Sequence, residues 1–100
     1  MAYDVGALDA TLSAAAGNDA ALFAELRSAF VESLTRQVDL LGRARCDANW
    51  QMAALRIKGL AASFQVLPLV ALAEEALEGA PGDPVVLRRL NAYAVQITAD

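Results

Sequence analysis

Histidine is missing from this 100-residue chain, and cysteine occurs once, as Cys46. Without histidine the chain lacks the side chain that usually exchanges protons near neutral pH. Ser–His–Asp and Cys–His arrangements are therefore excluded. A lone cysteine builds neither an internal disulfide framework nor a Cys-x-x-Cys pair. A reducing, cytoplasmic setting is the expectation. Aromatic residues number only six, and β-branched residues are sparse and scattered, which argues against strands. Positive charge is also scarce: eight Lys and Arg stand among twelve Asp and Glu, for a net charge of −4. Binding to a phosphate backbone needs clustered cations, so no nucleic-acid partner is expected. The longest apolar run, Val66 to Ala73, holds Pro68 and is too short to span a membrane. The first ten residues carry neither a basic start nor a long apolar core, so they do not read as a signal peptide. No Gly-rich phosphate loop occurs, and no cofactor is expected.

What the chain does have is helix-forming residues. The apolar fraction is 57%, much of it alanine, joined by leucine, glutamate and arginine. One hundred residues make one domain, residues 1–100, and can bury a core without a metal or disulfide. Periodicity and capping residues predict five helices. The first runs from about Val5 to Ala15, capped by Asp4, with Val5, Leu8, Leu12 and Ala15 at helical spacing. Gly17-Asn18 breaks it. The second runs from about Asp19 to Arg45, with Asn18 as its cap. Its stripe is Phe23, Leu26, Phe30, Leu34, Leu41 and Ala44, with Gln37 in the gap. Glu32 with Arg36 and Asp39 with Arg43 are acid-before-base pairs four apart, and Arg43 and Arg45 suit a helix C-terminus.

The third helix spans about Ala48 to Phe64 after a cap at Asp47. Trp50, Ala53, Ala54, Ile57, Leu60, Ala61 and Phe64 form its core stripe. The fourth spans about Pro68 to Glu78, with proline in the first turn, and lines up Leu69, Leu72, Ala73, Ala76 and Leu77. Gly79-Ala80-Pro81-Gly82 ends it. The fifth starts at Asp83-Pro84, a cap followed by proline, and continues to about Ile97 through Val86, Leu87, Leu90 and Ala94. Short loops between amphipathic helices favour antiparallel neighbours. The expected fold is all-α, an antiparallel four-helix bundle with a short additional N-terminal helix.

The third helix carries a second stripe. At 100° per residue, Gln51, Met52, Leu55, Lys58, Gly59 and Ala62 fall opposite the core stripe. Leu55 lies almost diametrically across from Ile57 and should face solvent. A glycine inside a helix costs about 0.5–1 kcal/mol relative to alanine, and its usual return is close approach by another surface. Met52 adapts to varied contacts. The stripe reads as a docking face with a notch. It reads equally well as ordinary surface, since single exposed leucines are common.

The stretch Ala54-Leu55-Arg56-Ile57-Lys58-Gly59-Leu60-Ala61 resembles the signature helix of histidine phosphotransfer (HPt) domains, whose pattern is close to Ala-His-x-Leu-Lys-Gly-x-Ala. Ala54, Ile57, Lys58, Gly59 and Ala61 match in place. Asp47 to Trp50 resembles the acidic-aromatic start of that helix. Leu69, Leu72, Ala73 and Glu78 resemble the helix that follows, and the resemblance covers about Asp19 to Ile97. Two positions depart from it. Leu55 stands where the family has its phosphoacceptor histidine, and Gln65 stands where a glycine commonly follows the helix.

The first departure decides the chemistry. Phosphohistidine forms because a neutral imidazole nitrogen attacks phosphorus, and leucine has no lone pair to offer. Ser63 and Cys46 have no histidine to activate them. No enzymatic role is therefore expected. The resemblance implies a partner: a response-regulator receiver domain or a histidine kinase. It places Lys58 against an acidic receiver pocket, Gly59 at the point of close approach and Leu55 at the centre, with Gln51, Met52, Arg56 and Ala62 around them. The alternative is a homodimer through the Met52, Leu55, Gly59 and Ala62 stripe. Glu74, Glu75 and Glu78 form the one acidic cluster. With no histidine and no second carboxylate motif, a solvated face is expected there rather than a metal site. Arg88-Arg89 reads as a surface pair.

Overall fold

The structure, a computed structural model, describes residues 6–99. Within that range the chain is all-helical: α1 is Gly6–Ala16, α2 Ala20–Arg43, α3 Asp47–Ser63, α4 Leu67–Glu78 and α5 Pro84–Ala99. The Asp4 cap and Val5 lie outside the described residues. Helices form here because each carries apolar side chains at three- and four-residue intervals that one neighbour or two can cover. α3 packs against both α2 and α4, α5 against both α4 and α2, and α1 against α2. The radius of gyration is 13.5 Å, matching the value of about 13 Å for a folded chain of 100 residues.

Backbone chemistry sets the ends. α1 stops at Gly17, whose φ of 65° lies in the left-handed region, and whose N–H donates to Ser13 O at 2.9 Å. That bond closes the helix at a position where glycine carries no Cβ penalty. The cap of α2 is Asp19 rather than Asn18: its Oδ1 accepts from the Leu22 N–H at 3.0 Å. Once Gly17 turns the chain, the second of the two capping residues is the one three places before an orphan amide. α2 ends at Arg43, so Arg45 lies beyond it and donates instead to Arg43 O. The Asp39–Arg43 ion pair is present at 3.1 Å on the α2 surface.

α3 also begins differently from the sequence expectation. Cys46 occupies the capping position without a side-chain bond, and Asp47 is the first helical residue. A carboxylate in the first turn acts on the helix dipole rather than as a cap. α4 begins one residue early, with Pro68 in its first turn. Asp83 caps α5, its Oδ1 accepting from the Val85 N–H at 3.0 Å and the Val86 N–H at 3.5 Å.

The core draws on every helix. Leu8 and Leu12 of α1 are buried, but Ala15 is exposed and Ala16 takes its place. Phe30, Leu34, Val38 and Leu41 face inward from α2; Trp50, Ala53, Ala54, Ile57 and Ala61 from α3. α4 contributes Leu69, Leu72, Ala73 and Ala76, and α5 contributes Val86, Leu90, Tyr93 and Ile97. Phe30 and Phe64 meet edge to face at 5.0 Å between ring centroids, a favoured aromatic geometry. The Trp50 indole N–H donates to Ala76 O at 2.6 Å, joining α3 to α4 inside the core. Arg27 on α2 joins the other end: its guanidinium donates to Ile97 O in α5 and lies 3.7 Å from Asp9 in α1.

Candidate functional site

α3 presents two faces because both of its flanks are occupied. Covered by α2 and α4, it buries Trp50, Ala53, Ala54, Ile57 and Ala61. The remaining arc is open. Gln51, Met52, Leu55, Arg56, Gly59 and Ala62 are exposed along it, and Lys58 is half-buried at its edge. Leu55 is 55% exposed and Met52 50%. A leucine exposed to that extent in mid-helix leaves apolar area in water that a partner can cover. Covering it stabilises a complex by about 1–1.5 kcal/mol, half the value for a fully transferred leucine.

Gly59 sits one turn beyond Leu55. A Cβ built at this position meets nothing within 4 Å. No neighbouring helix of the chain therefore requires a glycine here, and the notch opens to solvent. The Gly59 carbonyl also accepts from the Ser63 hydroxyl at 2.9 Å. This back-bond occupies Ser63 Oγ inside its own helix.

Lys58 is already engaged. Its Nζ lies 3.5 Å from Glu74 Oε2 on α4, with both side chains about half exposed. The acidic cluster is likewise divided among cations: Glu75 receives two bonds from Arg89 Nη1 of α5, at 2.8 and 2.6 Å. Arg89 is thus a cross-helix partner rather than a loose surface charge. Among the described residues, no group of three or more Cys, Asp or Glu is arranged to hold a metal ion. The Arg56 guanidinium has no ion pair or hydrogen bond to a described residue. The electrostatics of the face are therefore lopsided. The α4 side carries a lysine neutralised by glutamate, while the α2 side carries an uncompensated arginine.

The α2 side holds a feature that periodicity did not reveal. An open groove of about 300 Å³ runs between α2 and α3, lined by Gln37, Leu40, Arg43, Asn49, Met52 and Arg56. Small residues at its base, Ala44 and Ala53, leave the space that larger side chains would fill. Leu40 is 41% exposed on its wall. Gln37 Oε1 is buried without a hydrogen-bond partner, an arrangement that costs about 1–3 kcal/mol until a donor reaches it.

α3 ends in a left-handed residue. Gln65 has a φ of 57°. Its N–H donates to Ala62 O at 3.1 Å and the Val66 N–H donates to Ala61 O at 2.9 Å. This pair of bonds is a Schellman cap, in which the left-handed position is most often glycine. Val66 follows as a fully buried anchor. The backbone thus makes a glycine-type turn although the residue is glutamine. No described helix is long and apolar enough to cross a membrane. Comparison with family models, with characterised proteins and with solved structures gives no match to this chain.

Proposed function

We propose that this chain is a non-catalytic HPt-like module of two-component signalling. In this reading the helices form an antiparallel four-helix bundle, α2 to α5, with α1 as an added N-terminal helix. The module works in the cytoplasm and docks a response-regulator receiver domain or a histidine kinase through the α3 face. Leu55 takes the position of the phosphoacceptor. It supplies apolar contact where an imidazole would supply chemistry, so the complex forms without group transfer and modulates phosphoflow by occupancy.

One observation carries the reading: Leu55 is more than half exposed at the centre of α3, one turn before a glycine that no contact with a described residue requires. The glycine-type turn at Gln65 is consistent with it. Binding of the full chain to receiver domains and kinases from the same genome, measured by calorimetry, tests it. Leu55→Asp and Gly59→Arg are expected to weaken the complex at least about tenfold, the cost of burying a charge or a clash in a small interface. Absence of binding to every such receiver and kinase would sink the proposal.

Self-association through Met52, Leu55, Gly59 and Ala62 is the second reading, favoured by the continuity of that exposed stripe. Antiparallel pairing of two copies about these residues would set Arg56 against its own copy, a like-charge contact that opposes the pairing. Sedimentation velocity separates the two: a stable dimer lost in Leu55→Asp supports self-association, and a monomer supports docking to a partner.

A further inference from the structure

The groove between α2 and α3 shares Met52 and Arg56 with the docking face and adds a chemistry of its own. Its walls combine two exposed apolar side chains, Leu40 and Met52, with two cations, Arg43 and Arg56. Arg43 is engaged by Asp39, 3.1 Å away along α2; Arg56 has no such partner. None of the lining residues is acidic. In a chain of net charge −4, this is a local reversal of sign, and it selects an anionic group. The third component is Gln37, whose Oε1 is buried with no donor. Rotation of that amide into the groove gains a hydrogen bond from any N–H presented there.

An occupant that satisfies all three carries apolar side chains, a carboxylate and a free N–H. A polypeptide has all of them. A lipid acyl chain lacks the N–H, and a small inorganic anion lacks the apolar surface. We propose that the groove binds a short acidic–apolar segment of a partner protein. Its leucine-type side chains rest on Leu40 and Met52, its carboxylate meets Arg56, and its backbone N–H reaches Gln37. The site does not depend on the partner being a receiver domain.

The test is a titration of the isotopically labelled full chain, read by its amide resonances. The probe is a synthetic twelve-residue peptide with leucine and glutamate in alternation, which leaves backbone N–H groups free, and blocked ends. A second peptide has glutamine in place of every glutamate. The expected result is saturable shifts concentrated at Gln37, Leu40, Asn49, Met52 and Arg56, with the glutamine peptide at least about fivefold weaker. Arg56→Glu should weaken binding of the acidic peptide by about tenfold, and Met52→Ser should weaken it as well. Arg36→Glu makes the same charge change on the α2/α5 side and should alter affinity less than about twofold. Equal affinity for the two peptides, shifts centred elsewhere, or no binding at millimolar peptide would overturn the proposal. So would vesicles containing phosphatidylglycerol that shift the groove resonances when the acidic peptide does not.

Discussion

At single positions, two backbone choices, one within α3 and one in the turn that follows it, run against local preference, and each makes a measurable claim. Gln65 occupies a left-handed conformation in which a side chain costs about 1–2 kcal/mol. Gln65→Gly relieves that strain but gives the unfolded chain more freedom, so the net expectation is a gain of about 0.5–1 kcal/mol. Urea denaturation measures it, and a lowered midpoint would show that the turn is unstrained. Gly59 is the opposite case. Its missing Cβ meets open space, so Gly59→Ala should stabilise the free chain by about 0.5–1 kcal/mol. If the notch serves close approach, the same substitution weakens partner binding. Stability and affinity then move in opposite directions, which a purely structural role for Gly59 would not produce.

Among helices, what the sequence showed and what it hid divide along physical lines. Trp50, Ala54, Ile57 and Ala61 were legible as one stripe because a helix repeats every 3.6 residues whatever it packs against. The open side of α3, with Leu55 at its middle, follows from the same geometry. Adjacent capping residues were not separable. Asparagine and aspartate side chains can both accept amide bonds, and only the chain direction set by Gly17 selects Asp19 over Asn18. Val38 and Tyr93, both buried, belong to periodic stripes too. Gln37 and Ala94, their neighbours in sequence, sit at the stripe margins and are half-buried. A margin is where a change of a few degrees in helix rotation decides which residue turns inward. Ties between helices were beyond reach. Lys58 and Glu74 meet because α3 and α4 are packed, and no spacing rule reports that. The pair is half exposed and contributes at most about 1 kcal/mol to stability. It holds a cation that an acidic partner would otherwise use. Glu74→Gln should therefore leave the melting temperature nearly unchanged yet strengthen docking to an acidic partner by up to about fivefold. Calorimetry on the variant checks it, and unchanged affinity would show that Lys58 takes no part.

Across the whole molecule, Arg27 concentrates long-range contact. It donates to the Ile97 carbonyl in α5 and lies beside Asp9 in α1, so one mostly buried side chain bridges residues 70 apart in sequence. Its bond reaches a carbonyl in the last turn of α5, where unsatisfied acceptors collect. Arg27→Met keeps the aliphatic bulk and removes those bonds. It should cost about 1.5–3 kcal/mol, the range for a hydrogen bond to a charged group. Amide hydrogen exchange should show the loss first in α1 and the end of α5, with α3 and α4 still protected. Uniform loss across all five helices would show instead that Arg27 supports the core as one unit.

The chain contains one tryptophan, and the fold places it at 1% exposure with its indole N–H bonded to Ala76 O. That makes Trp50 a built-in optical probe on the inward side of the very helix whose outward side is the proposed docking face. Its fluorescence will shift to longer wavelength when α3 and α4 separate, and will stay nearly constant when the outer surface is occupied. A single cuvette can thus distinguish a variant that has lost its partner from one that has lost its structure, with no label added.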